Sequence, residues 1–242
     1  MRALRRIAAG CLVCSVLAAC GGSSSSPNSA AGRPHTASAR AIFDASRAAA
    51  DRATSVHVVE DAGTSGTLDM ILVTGRGGRG TFASGGLKMR LIWIGKTAYL
   101  KGNPALYSAI SRQAGVSGDA LATRLHGRWL RLEPTAAGAP AIASSTVLGR
   151  VTSIGPIGDK FMAAIGPAEK LTQETITAAR GQKVVEVRDP LGNSLRVPAT
   201  GTPYPIQLLG RGGPSSATVT FDRWDSPVAL SPPAHSADGA QL

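Results

Sequence analysis

The sequence predicts an α+β domain in which one antiparallel sheet buries a single face against helices. Three observations predict it. Apolar residues recur with period two, as in Leu68, Met70, Leu72 and again in Leu87, Met89, Leu91, Trp93, with Asp69, Lys88 and Arg90 between them. That is the pattern of strands buried on one side. Turn residues return about every 8 to 12 positions, which joins such strands into a meander. Helical spacing is confined to residues 37–54 and to a broken middle stretch, so the helices are few and short.

The chain has 242 residues, 26 Lys+Arg against 15 Asp+Glu, and three Trp, three Tyr and four Phe. That suits one medium-sized domain plus segments outside it. Mean hydropathy is near zero, and no apolar run reaches the roughly 18 to 20 residues that a helix needs to cross a bilayer core, which excludes a helical channel or transporter. The three cysteines are Cys11, Cys14 and Cys20. A disulfide scaffold, a Cys-ligated zinc site and a catalytic cysteine are therefore excluded downstream of position 20.

Residues 1–19 read as a signal peptide. Arg2, Arg5 and Arg6 precede an uncharged run from Ile7 to Ala19, which at about 1.5 Å per residue covers roughly 20 Å, too short for a core of about 30 Å. The order Leu17-Ala18-Ala19-Cys20 resembles the bacterial lipobox. That resemblance implies a diacylglycerol on the Cys20 thiol and cleavage before it, so that acyl chains such as palmitate anchor the protein to the extracytoplasmic face of the cell membrane; two chains hold firmly where one is marginal. Residues 20–36 are the lipidated Cys and a flexible tether rich in Ser, Gly and Pro. Without residues 1–19 the chain is still basic. Arg positions are scattered and lack interleaved aromatics, so compositional bias towards Arg accounts for the charge better than nucleic-acid binding, and no nucleic acid is expected as a partner. Attraction to an anionic membrane surface is a by-product.

Residues 37–230 form a single domain. Ala37–Thr54 carries Ile42, Phe43, Ala45, Ala49, Ala50 and Ala53 as one apolar stripe of a helix that packs on the sheet. Strands follow, with turns at Ala62-Gly63, Gly75 to Gly80, Gly85-Gly86 and Gly95-Lys96, until Asn103-Pro104 ends the run. Pro104–Gln113, Gly118–Leu125 and Asp159–Ile165 read as short helices around a strand at Trp129–Leu132. Strands return at Leu171–Ala178, Lys183–Asp189, Ser194–Ala199, Pro205–Leu209 and Ala217–Trp224. Residues 231–242 lack periodicity and read as a loose C-terminal tail.

Catalytic motifs are missing, and neither an enzyme nor a cofactor is expected. Gly75-Arg76-Gly77-Gly78-Arg79-Gly80 matches GxGxxG, but a strand and not a helix follows it, so it reads as a hairpin tip. Arg76, Arg79 and Arg211 would meet phosphates if their two tips shared one rim. His35, His57, His126 and His235 are too far apart for a metal trio; His57 reads as a solvent-facing strand residue. No Ser stands in GxSxG or three before a Lys. Asp222 and Asp225 read as solvated surface carboxylates. What stands out is the continuous apolar face of Leu68, Met70, Leu72, Met89, Leu91, Trp93, Val185, Val187, Leu195, Val197, Ile206, Leu208, Val219 and Phe221. Either the helices fill its concavity with side chains, or a ligand does.

In order along the chain, the lipobox and tether, the helix ending Thr54-Ser55-Val56-His57, the segment Ile94–Gly102, the strand Gly127–Leu132, and Ala199–Pro205 before Val219-Thr220-Phe221-Asp222 together resemble the LolA-like lipoproteins of actinobacteria, of the LppX/LprAFG type. The resemblance implies a curved antiparallel half-barrel sheet packed on helices, and a monomer whose apolar cavity holds a multi-acyl lipid or lipoglycan. It carries over no catalytic residue; only Cys20 transfers as a site.

Overall fold

The computed structural model describes residues 37–114, 117–125, 127–132, 156–162, 165–166, 170–179, 182–211 and 216–239. Cys20, the tether, His35 and His126 lie outside them. Helix α1 spans Ala39–Arg52. Ser38 begins it: its backbone is extended and its Oγ accepts from the Ala41 N–H at 3.2 Å, satisfying one of the free donors of the first turn. Ile42, Phe43, Ser46, Ala49 and Ala50 are its buried side, at the three- and four-residue spacing of one helix face.

The sheet follows: β1 Ser55–Asp61, β2 Thr67–Val73, β3 Gly77–Ser84, β4 Leu87–Ile94, β5 Thr97–Gly102, β6 Trp129–Leu132, β7 Thr172–Ala179, β8 Gln182–Arg188, β9 Ser194–Pro198, β10 Gln207–Gly210, β11 Ala217–Asp222 and β12 Ser236–Asp238. The remaining helices are α2 Pro104–Ala114, α3 Gly118–Leu125 and α4 Ile157–Met162. Among the described residues the strands make one open sheet in the order β12-β6-β5-β4-β3-β2-β1-β11-β10-β9-β8-β7. The fold is α+β, a large sheet with few helices on it. Each neighbouring pair is antiparallel except β12 with β6, which is parallel.

Period two in the sequence becomes rows across the inner face. One row runs Val58, Met70, Gly80, Leu91, Leu100, Leu130, and the next runs Val56, Leu72, Gly78, Trp93, Ala98, Leu132. The two glycines show where the sheet curls. A Cβ on Gly80 would stand 2.0 Å from the Asp69 carbonyl oxygen and 2.6 Å from the Met70 Sδ, and one on Gly78 2.7 Å from the Ile71 oxygen. Strands β2 and β3 therefore close on each other on the inner side, and only glycine permits it.

Two groups of helices cover that face. α1 packs against α4 and β8, while α2 packs against α3, β4 and β5. Asp51 Oδ1 accepts from the Asp159 N–H at 3.2 Å and Arg47 pairs with the Asp159 carboxylate, which ties α4 to α1. Gly158 makes the approach possible, since a Cβ there would lie 2.5 Å from Asp51 Oδ1.

The tail reading needs correction. Residues 236–238 pair in parallel with β6, through Ser236 with Trp129, Ala237 with Leu130 and Asp238 with Arg131. Ala237 is buried, and Asp238 lies 3.9 Å from the Arg131 guanidinium. Three residues are too few to show a period, and this strand is held by backbone pairing at a sheet edge rather than by an apolar pattern.

Candidate functional site

The inner face places the expected apolar residues together. Leu68, Met70, Leu72, Met89, Leu91, Val185, Val187, Leu195, Val197, Leu208, Val219 and Phe221 are all buried, in one cluster with Ile42, Phe43, Leu106, Tyr107, Leu121, Leu125, Phe161 and Met162 from the helices. Val185, Val187, Leu195 and Val197 are wholly inaccessible at 0%. Trp93 and Ile206 are half-buried. Ile206 precedes β10, yet its backbone still bonds on both sides, its N–H to Arg196 and its oxygen from Phe221.

The two halves of this face differ. Beside β10 and β11, Glu60, Phe161, Ile165, Leu208 and Val219 line a cavity of about 60 Å³, room for a few waters. At β3 to β5, Trp93 has small cross-strand neighbours, Gly78 and Ala98, with Gly80 next along β3, while Leu91 and Leu100 in the adjoining row are buried. The Trp93 Nε1–H is buried and, among the described residues, has no hydrogen-bond partner. Such a donor costs roughly 1–3 kcal/mol when left unmade.

The outer face is polar. His57 stands there, but under two carboxylates rather than in open solvent: Nδ1 is 2.5 Å from Asp222 Oδ1 and Nε2 2.9 Å from Asp69 Oδ1, with the side chain 10% exposed. Both ring nitrogens are engaged, so neither is free to act as a general base. Asp225 is exposed, as a surface carboxylate should be, but it is also a hydrogen-bonding hub. Its Oδ1 accepts from the Thr54 N–H at 2.7 Å and from Thr54 Oγ1, and the Tyr204 hydroxyl donates to its Oδ2. The hydrogen bond to Asp225, together with burial, pushes the Tyr204 phenol up to about 12, and the same bond, with those from Thr54, holds Asp225 below the usual carboxylate range. Tyr204 stacks on Trp224 at 4.7 Å, Trp224 on Phe221 at 5.8 Å, and Phe221 meets Phe161 edge-on at 5.2 Å. These contacts brace the end of β11 against the core. The sequence signal for this hub was only a carboxylate just past a strand end, which does not name its partners.

On β8 and β9, Glu186 is almost fully covered and receives Arg188 and Arg196, each at 2.6 Å, while Arg196 also donates to Gln207. Burial pushes the Glu186 carboxyl up, and the hydrogen bonds and charges of the two arginines more than reverse it, leaving it below the usual range.

The shared arginine rim does not form. Val73 and Gly77 flank the Arg76 turn, and Val73 pairs with Ser55 at one end of β1. Arg211 follows β10, whose end lies by Thr218 and Asp61 at the other. Six residues of strand at about 3.3 Å each separate them by about 20 Å. Arg79 sits within β3, opposite Ile92. What does come together is a different set. Lys88, Arg90 and Lys101, with Thr67, Thr81, Phe82, Ala83, Met89, Gly102 and Asn103, line a concavity of about 510 Å³ where β2 to β5 end.

No family model and no curated protein matches the chain. Among solved structures, it is similar to LprF from Mycobacterium bovis, with 16% identity, a TM-score of 0.49, and 81% of this chain and 97% of that one covered. It is also similar to the Mycobacterium tuberculosis lipoprotein LppX, with 13% identity, a TM-score of 0.47, and 80% and 98% covered.

Proposed function

We propose that the protein is a membrane-anchored extracytoplasmic lipoprotein, held by Cys20, which binds or transfers an acylated lipid on the inner face of its sheet. The observation that carries this reading is Trp93. It is an inward-facing residue left half-buried, with a buried N–H that nothing among the described residues accepts, beside the small cross-strand neighbours Gly78 and Ala98. An acyl ester laid there would bury methylenes at about 0.8 kcal/mol each and give the indole its acceptor. The cavity residues are then the β2 to β5 members of the apolar face: Leu68, Met70, Leu72, Met89, Leu91 and Trp93.

A second reading, a non-carrier lipoprotein with a filled core, is favoured by the β8 and β9 half, where Val185, Val187, Leu195 and Val197 have no accessible surface. Organic extraction of the full chain purified from its own membrane, followed by mass spectrometry, separates the two. The carrier reading expects an acylated lipid beyond the anchor, retained less by Trp93→Phe, which removes the unpaired donor together with one ring of the half-buried indole. Extraction that yields the anchor alone, with Trp93→Phe unchanged in every respect, leaves the filled core.

A further inference from the structure

We propose that Lys88, Arg90 and Lys101, on the outer side of the sheet, form a binding site for a phosphate ester at the ends of β2 to β5, where Phe82 and Met89 of the inner face border it. The register brings the three cations together. Arg90 pairs with Lys101 across β4 and β5, and Lys88 stands two residues before Arg90 on the same side. All three line the open concavity at the strand ends.

Several other cations have carboxylate partners: Arg188 and Arg196 share Glu186, Arg47 pairs with Asp159, and Arg40 with Asp44. Asp69, opposite Thr81, is hydrogen-bonded to His57. Among the described residues no carboxylate pairs with Lys88, Arg90 or Lys101. Three cations held within one hollow repel one another, and a bound dianion relieves that. Arg90 is also steered: its guanidinium lies over the Trp129 ring at 5.5 Å, which orders the side chain without using its donors. Thr81 faces Arg90 across β3 and β4 and adds a hydroxyl donor. A phosphate presents several acceptor oxygens and two negative charges near neutrality, which is the complement of two ammonium groups, a guanidinium and a hydroxyl.

The ester could be a lipid headgroup or a soluble phosphate, and two probes distinguish the sources. The first is vesicles of equal parts phosphatidic acid and phosphatidylcholine, with the chain produced without residues 1–19 and carrying Cys20→Ser. The second is soluble glycerol phosphate, followed by calorimetry and as a competitor of vesicle binding. The variant Lys88→Gln/Arg90→Gln/Lys101→Gln is set against Arg76→Gln/Lys183→Gln/Arg211→Gln, which removes the same charge elsewhere. The first variant is expected to bind about a hundredfold more weakly and the second about as tightly as the parent, since each cation close to the anion contributes about fivefold. Competition by glycerol phosphate assigns a soluble ester; vesicle binding without competition assigns the headgroup. Lys88→Gln alone, a single exposed change that leaves folding intact, should show a partial loss. Equal losses in both triple variants, or none in the first with either probe, overturn the site.

Discussion

Glu186 is the place where one substitution reads most directly on the packing of the outer face. Its carboxylate is 5% exposed and accepts from Arg188 and Arg196 at 2.6 Å each, with the arginine side chains 35% and 27% exposed. Charge-assisted hydrogen bonds contribute roughly 1.5–3 kcal/mol and neutral ones about half of that. Glu186→Gln keeps the shape and loses the charge, so a cost of about 1–2 kcal/mol is expected. Glu186→Ala also strands two cations. Removing one partner of a buried pair costs about 3–5 kcal/mol, but both arginines still reach water, so about 3 kcal/mol is the working figure. Urea denaturation midpoints measure both variants, and for a domain of this size each kcal/mol moves the melting temperature by about 2–4 °C. The pH dependence has a definite sign. Because the folded carboxyl titrates below its ordinary value, its contribution is present above the unfolded carboxylate range and is lost as pH falls below about 4. The gap between wild type and Glu186→Gln should therefore close in acid. A Glu186→Ala protein within about 0.5 kcal/mol of wild type at neutral pH, or a gap that widens in acid, would mean that the two arginines do not depend on this carboxylate.

Gly80→Ala should destabilise by about 2 kcal/mol or more, or stop folding, because its Cβ meets the Asp69 carbonyl at 2.0 Å; a urea midpoint equal to that of wild type would mean that the curl between β2 and β3 is not obligatory. Asp225→Asn should bring the Tyr204 phenol down from about 12 towards its ordinary value near 10, followed by ultraviolet titration; an unchanged titration would leave burial as the whole cause. Cys20→Ser should lose both the lipid mass and the processing step, followed by mass spectrometry and by the size of the chain. A variant still processed and membrane-bound to the same extent would remove the anchor.

Much of the fold was legible because strands of one apolar face impose a period that survives without tertiary information: Leu68, Met70 and Leu72 point inward in β2 just as their alternation requires. Helix boundaries in the middle stretch were legible from Pro104 and Gly118. Long-range pairings were not. Nothing local states that Asp222 and Asp69 close over His57 from strands 165 and 12 residues away, or that Asp225 serves Thr54 across the sheet. The arginine rim failed for the same reason. Glycine turns at Arg76 and Arg211 look alike in sequence, and only the strand order puts them at opposite ends. The cation cluster had a visible trace in Lys88 and Arg90 at alternate positions of β4, but its third member depends on the β4–β5 register.

Binding of an acyl chain by this filled face, as proposed, would be governed energetically by the helices over β4 and β5. Their principal contributions to the core are Leu106, Tyr107, Leu121 and Leu125. At roughly 1.5–3 kcal/mol for each buried side chain, that cover is worth about 6–12 kcal/mol. An acyl chain burying ten or so methylenes at about 0.8 kcal/mol each returns about 8 kcal/mol. The two occupants of the face are therefore nearly equivalent, and exchanging one for the other leaves the free energy of the domain close to level. Near-equality suits a carrier, since a ligand held far more tightly than the protein's own side chains could not be released. The same exchange is unavailable at β8 and β9, where α1 is fixed to α4 through Asp51, Arg47 and Asp159. Loading would then displace α2 and α3 while the other half of the sheet keeps its packing, so that the filled half acts as the scaffold on which the opening half moves.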